Sequence, residues 1–187
     1  MADLDAIKSD VARLKGGNEE QLYKLGRAQE DLDLVKAALD EKFGMALVQL
    51  PKGLGEDADA LYTAGKSAFD RNDLPMARGI LRKFLEIRPD DARALNALYL
   101  IGDSYFREGR YGQSIREMQR LHDRYRDVKG APVEKALLRI AESLLKQDDC
   151  RKAAGVLKYL SDYNRKAPEA EKARDMLKEL KGRCKGI

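Results

Sequence analysis

The chain has 187 residues, with 36 lysines and arginines against 32 aspartates and glutamates and a net charge of +4. Charged residues make up 36% of it with both signs interspersed, which is typical of a solvated helical surface and not of a one-sided basic stripe for nucleic acid. No apolar run approaches a membrane span, and the start, MADLDAIKSD, lacks the apolar core of a signal peptide. The composition predicts an all-α protein, either cytosolic or a mature region without its leader.

Residues 1–43 carry apolar side chains at alternating steps of three and four, which predicts a coiled-coil oligomerisation segment. Because such a seam buries nothing in a single helix, it implies a partner helix. Two polar positions, Asn18 and Gln21, weaken the seam but can fix register and oligomer number. Gly16 and Gly17 each cost a helix about 1 kcal/mol, so a hairpin turning there is the alternative to one long helix. The predicted seam consists of Leu4, Ile7, Val11, Leu14, Asn18, Gln21, Leu25, Leu32, Val35 and Leu39.

A linker over residues 44–58, with three glycines and a proline that stop a helix, separates this segment from a repeat domain at 59–187. In that domain a small residue recurs and is followed twelve residues later by another, as in Gly65 and Ala77. Small residues let two helices pack closely where they cross, so the pattern predicts helical hairpins. The first helices of the three hairpins contain Gly65, Gly102 and Ala141. Their turns fall on Asn72, Gly109 and Asp148, which tolerate a left-handed backbone.

These hairpins resemble the tetratricopeptide repeat, whose period is about 34 residues. The nearest match is the segment YLIGDSYFREGRYGQSI at 99–115, although the three small residues repeat at longer intervals and only the first repeat closes on a proline, Pro89. A final helix at 168–184 is expected to cap a short right-handed α-solenoid. An unrelated helical bundle is the alternative, but it would hardly repeat the pattern three times in register.

A coiled coil, a linker and long-period tetratricopeptide-like repeats, in that order, resemble the YbgF (CpoB) family of Tol–Pal-associated periplasmic proteins. In detail the resemblance covers residues 60–181, including the turn DDCRKAA at 148–154. It implies a non-enzymatic scaffold of the bacterial cell envelope that coordinates peptidoglycan synthesis with outer-membrane constriction during cell division. It also implies trimerisation through the coiled coil, a periplasmic location, and binding to the Tol machinery and a peptidoglycan synthase.

Two other functions stay open. A cytosolic tetratricopeptide adaptor or co-chaperone displays a basic clamp for a carboxylate terminus, whereas the inner positions here are mostly aromatic and mixed in charge. An outer-membrane assembly or secretion lipoprotein needs a lipidated cysteine near its start, where this sequence has none. An enzyme is not expected, because the sequence has one histidine, His122, and no nucleophile motif or phosphate-binding glycine loop. We therefore predict no catalytic, cofactor or metal residue.

The first helices of the repeats are expected to line a concave groove for an extended or helical peptide, because Tyr and Phe recur at its inward positions. Asp59, Asn96 and Lys135 align at the groove edge. For Phe69 and Phe106 the alternative is a place in the core. The predicted partner-binding groove consists of Tyr62, Lys66, Phe69, Tyr99, Asp103, Phe106, Leu138, Glu142 and Leu145.

Cys150 and Cys184 are the only two cysteines. Cys150 opens the second helix of the third repeat, and the final helix is expected to return antiparallel to it, which brings Cys184 back beside Cys150. That topology permits a disulfide, whose Cα atoms must lie within about 7 Å. A disulfide here favours an oxidising compartment. Two independent, packed thiols are the alternative.

Overall fold

The chain forms two compact units, Met1–Leu47 and Val48–Ile187, in a computed structural model. The structure describes residues 57–128 and 130–184, Gly55, and part of the first unit, namely residues 17–18, 21–22, 24–28, 31–32, 35 and 38–39. The described residues of the first unit have helical backbone, Gly17 included. Most of the predicted linker and the seam positions Leu4, Ile7, Val11 and Leu14 lie outside the described residues, and the coiled coil remains a prediction.

The second unit is built of helices, and the residues described there contain no strand. Three helical hairpins follow one another and a single helix ends the series, as the sequence predicted. No helix within the described residues is both long and apolar enough to cross a membrane. The helices are α1 (Ala58–Asp70), α2 (Leu74–Ile87), α3 (Ala94–Arg107), α4 (Tyr111–Tyr125), α5 (Ala131–Lys146), α6 (Cys150–Tyr163) and α7 (Pro168–Arg183).

Each hairpin turns through the residue that the sequence indicated. The φ angles of Asn72, Gly109 and Asp148 are 63°, 75° and 58°, in the left-handed region. The next residue donates its backbone N–H to a carbonyl five positions earlier in all three turns, and the bond lengths are each 2.9 Å. This is the capping bond that satisfies a carbonyl left open at a helix end. The same closure therefore repeats in the three hairpins.

The helices of the first two hairpins cross at glycines. A Cβ atom built on Gly65 would lie 2.7 Å from Cγ of Leu81, and one on Gly102 would lie 2.8 Å from Cε of Met118. Leu81 and Met118 are both fully buried. The third crossing, at Ala141, already carries a methyl group and is also fully buried. The small-residue pattern thus marks real points of close helix approach.

These crossings predict different outcomes for two identical substitutions. Gly65→Ala should lower the free energy of unfolding by about 1–2 kcal/mol, because the overpacking against the branched Leu81 outweighs the helix propensity that alanine adds. Gly102→Ala should be close to neutral, since the end of the Met118 side chain can move aside. Urea unfolding of both variants measures the difference. Equal losses would contradict the assigned crossing geometry.

The core of the repeats forms three apolar clusters, which α1–α3, α4–α6 and α5–α7 build in turn. Tyr99 packs against two of them and so links the first cluster to the second along the chain. At the other end α7 buries Ala170, Ala173 and Leu180. The final helix is therefore a packed part of the domain and closes its end.

Candidate functional site

The first helices of the hairpins, α1, α3 and α5, lie side by side and present the face on which the groove was predicted. We call this surface the inner face. Two neighbouring clefts open along α5, with volumes of about 320 and 430 Å³. Arg139 and Glu142 line both clefts. The first cleft is completed by Tyr99, Lys135, Leu138, Pro168, Glu169 and Lys172, and the second by Phe106, Leu145 and Lys146.

Arginines cover several of the predicted groove aromatics. The guanidinium carbon of Arg139 lies 4.1 Å from the ring centre of Phe106. Arg107 lies 4.0 Å from the ring of Phe69. These distances are those of cation–π contacts, which orient the guanidinium and shield the ring from water. The inner face therefore presents cationic groups above aromatic ones, and not open aromatic rings.

Arg139 is the centre of a charge network. Its Nη2 lies 2.7 Å from Oδ1 of Asp103, and its Nη1 donates to Oε2 of Glu142 over 2.7 Å. Arg107 pairs with the same Asp103 at 3.2 Å, and Lys172 reaches Glu142 at 3.5 Å. Burial acts to lower the pKa of Arg139, but the attraction of its anionic neighbours, Asp103 first, outweighs this and raises it. The centre of the face is thus neutralised internally.

Tyr99 borders this network. Burial raises the pKa of its hydroxyl, and the negative charge of Asp103 adds to the rise while Arg139 opposes it. Tyr62 is packed differently, with its ring 5.3 Å from that of Phe84 and its hydroxyl accepting a hydrogen bond from Asn96. Both tyrosines are half-buried between helices. Truncating either tyrosine is therefore expected to remove packing between helices as well as to change the exposed surface.

The other predicted groove residues divide by exposure. Phe69 and Leu138 are buried, at 4% and 7% exposure, so Phe69 occupies the core position that was its alternative. Asp103 is buried beneath the two arginines. Lys66 is exposed and pairs with Asp70 at 3.0 Å. Five of the nine predicted residues line the two clefts, and they are Tyr99, Phe106, Leu138, Glu142 and Leu145.

Sequence reasoning missed Arg139 and the contribution of α7. Arg139 follows the predicted edge residue Lys135 by one helical turn, so the spacing did contain a signal for it. Pro168, Glu169 and Lys172 belong to the final helix, which lies outside the repeat alignment. Aligning repeats therefore had no means of placing them at the cleft.

An acidic cup at the start of α1 is a weaker candidate. It has a volume of about 570 Å³ and is lined in part by Asp57, Asp59, Asp90 and Asp91. Arg93 lies in the cup, bridges Asp59 and Asp91 at 2.7 Å each, and through its hydrogen bonds holds the pKa of the Asp91 carboxyl well below its usual range. Among the described residues, no cluster of three histidine, cysteine or carboxylate groups is arranged to hold a metal.

His122 contacts aromatic side chains of α6. Its Nε2 lies 3.2 Å from the hydroxyl of Tyr159, and the two rings meet edge to face with centres 5.6 Å apart. Tyr163 completes the group and donates from its hydroxyl to the backbone carbonyl of Arg126. This arrangement joins α4 to α6 through ring contacts.

Cys150 and Cys184 are joined by a disulfide in the structure, with their Cα atoms 6.3 Å apart. Cys150 is the first residue of α6 and Cys184 directly follows α7. The bond therefore ties the end of the last helix to the start of its antiparallel neighbour, at the place that the topology predicted.

The repeated hairpins and their shared inner face define a helical-repeat interaction module. The tetratricopeptide-repeat family model matches residues 59–91 and 96–127, which are the first two hairpins. Over these two hairpins the chain is similar to the tetratricopeptide repeat. Such repeats are protein–protein interaction scaffolds and are generally not catalytic. No curated protein sequence matches the chain.

Solved structures show the same fold. The N-terminal domain of stress-induced protein-1 (STI-1) from C. elegans is 19% identical over 70% of this chain and 99% of that one, with a TM-score of 0.58. The Arabidopsis OM64 TPR domain is 11% identical over 66% and 96%, with a TM-score of 0.54. In the TPR2AB-domain:pHSP90 complex of yeast Sti1, the identity is 21% over 69% of this chain and 49% of that one, with a TM-score of 0.57.

Proposed function

We propose that this protein is a non-enzymatic adaptor of the bacterial cell envelope, similar to the Tol–Pal-associated coordinators of peptidoglycan synthesis and outer-membrane constriction. In this proposal the inner face binds a protein partner and the N-terminal segment oligomerises the chain. The observation that carries the proposal is the inner face, where two adjoining clefts combine apolar, aromatic and cationic side chains from several helices of a tetratricopeptide-type unit. Such mixed surfaces with arginine and aromatic anchors are typical of protein-binding sites.

Partner binding at this face is tested by titrating the full chain with the periplasmic domains of the host's Tol proteins and its peptidoglycan synthase. Leu145→Glu places a charge in the second cleft and should weaken binding at least about tenfold, as expected for a central contact. The matched control is Val128→Glu, which changes an apolar residue of 46% exposure outside both clefts and should bind within about twofold of the unaltered chain. Absence of binding by every domain, or equal binding by Leu145→Glu, would contradict the proposal.

The envelope location is supported by the disulfide, since disulfides persist in oxidising compartments and are rare in the cytosol. Trapping thiols with a maleimide in acid-quenched cells of the native host should show no free thiol per chain until a reductant is added. Two reactive thiols per chain in these cells would place the protein in a reducing compartment and would contradict the proposed envelope location.

The proposed oligomer, a trimer by family resemblance, is supported by the exposure of predicted seam residues in a single chain. Leu25, Leu32 and Val35 are 70%, 47% and 54% exposed. Changing both leucines to lysine should convert the oligomer to a monomer, because charges at seam positions oppose helix pairing. Leu22→Lys is the matched control, since Leu22 is 64% exposed but lies off the seam. Sedimentation equilibrium measures the mass, and an unaltered chain that is monomeric would contradict the proposed oligomer.

A co-chaperone type of adaptor is the second candidate, because STI-1 and Sti1 domains share the fold. A basic clamp for a terminal carboxylate needs cations that are free to bind it. Arg139, the cation at the centre of the face, is already neutralised by Asp103 and Glu142. Among the described residues, the centre of the face therefore offers no free cation to a terminal carboxylate, and this favours the first candidate.

A further inference from the structure

A stripe of four charged residues runs along α5 between and beside the two clefts. Lys135, Arg139, Glu142 and Lys146 follow at steps of four, three and four, which places them on one side of a helix with 3.6 residues per turn. All four line one or both clefts. The stripe is therefore part of the inner face from one end of α5 to the other.

The charges of the stripe are balanced in the middle and open at the ends. Arg139 is neutralised by Asp103 and Glu142, each at 2.7 Å. Lys135 and Lys146 are exposed, and neither has a carboxylate partner among the described residues. Two open positive charges thus flank a neutral centre. Apolar groups, Leu138 in the first cleft and Leu145 with Phe106 in the second, lie along the same stretch.

We infer that the partner segment bound by the inner face is acidic, extended and internal to its chain, with two carboxylate side chains that pair with Lys135 and Lys146 and apolar side chains between them. This inference rests on the proposed function and names the class of partner. The lysine Cα atoms lie eleven residues apart on one helix, about 16 Å. An extended chain rises about 3.3 Å per residue and alternates faces, so carboxylates six residues apart reach both long lysine side chains.

The neutral centre also distinguishes this segment from a chain terminus. A terminal carboxylate would need a free cation at the middle of the face, where Arg139 is already paired on both sides. The two open charges instead suit side-chain carboxylates at both ends of a bound stretch. A blocked peptide without charged termini should therefore bind as well as a free one.

The probe is the acetylated and amidated peptide Glu-Ala-Leu-Ala-Leu-Ala-Glu, titrated into the full chain by calorimetry. We expect saturable binding that weakens as salt is added. Binding should also weaken about tenfold when Lys135→Glu and Lys146→Glu are combined, because two ion pairs become two repulsions. The matched control combines Arg151→Glu and Lys158→Glu, which make the same change of net charge at exposed positions of α6. The control should bind within about twofold of the unaltered chain.

Three results would overturn the inference. They are no saturation up to about 1 mM peptide, equal binding of the peptide with Gln in place of Glu, and equal losses in the two double variants. Tighter binding of the peptide with a free terminal carboxylate would overturn the internal placement. If a Tol or synthase domain binds the chain and Leu145→Glu weakens that binding, but the acidic peptide does not bind, then the proposed function stands and this inference is wrong. The two failures are therefore distinguishable.

Discussion

Replacing Cys150 and Cys184 together by serine is expected to lower the free energy of unfolding of the repeat unit by about 4 kcal/mol. The bond closes a loop of 34 residues, and on the chain-entropy account a loop of that size in the unfolded state gives about this stabilisation. For a domain of this length the melting temperature should fall by about 10–15 °C. Thermal and urea unfolding of the oxidised and double-serine proteins measure the two quantities.

Without the disulfide, unfolding is expected to begin at α7. Its contacts with the preceding hairpin include Ala173 and Leu180, but it ends the series and has a helix on one side only. Terminal elements without a tether are the first to open. Hydrogen exchange should therefore accelerate in α7 before it does in α1–α4. Dithiothreitol should reproduce the effect in the unaltered chain and change nothing further in the double-serine variant, and a reduced protein as stable as the oxidised one would refute this prediction.

The hairpins were predictable because their causes are local. Close helix crossings need small residues at a fixed spacing, and the turns need residues such as Asn72 and Gly109 that accept a positive φ. The disulfide followed from those same elements, because two antiparallel helices of known length return their ends to one place. Local rules of this kind need no knowledge of distant contacts.

The inner face was predictable only in part, because its character depends on side chains that meet across repeats. The alignment put Phe69 and Phe106 at one position, yet Phe69 is buried and Phe106 is half-buried beside a cleft. Both rings lie under an arginine of the next hairpin, Arg107 and Arg139, which are 38 and 33 residues further along the chain, but only Phe69 belongs to an apolar core cluster. The periodicity of one helix does not indicate which arginine of the next hairpin will contact its aromatic ring.

A second large effect is expected at Arg78, on α2, where a buried charge joins the first hairpin to the second. The residue is 1% exposed. Its Nη1 donates to Oγ of Ser104 over 3.1 Å and lies 3.0 Å from Oε2 of Glu108. Its guanidinium carbon lies 4.3 Å from the ring centre of Tyr105. Removing one side of a buried pair leaves the other charge uncompensated and costs about 3–5 kcal/mol.

Arg78→Ala should lower the free energy of unfolding by about 3 kcal/mol, at the lower end of that range, because Glu108 keeps some access to water and lies 3.7 Å from Arg110. Arg78→Met should cost about half as much, since it keeps the aliphatic volume against Tyr105 and loses the charge contacts alone. Lys83→Ala on the same helix is the control; its pair with Glu86 is exposed and should contribute less than about 1 kcal/mol. Equal losses for Arg78→Ala and Lys83→Ala in urea unfolding would mean that water already screens the Arg78 charge and that apolar packing alone joins the two hairpins.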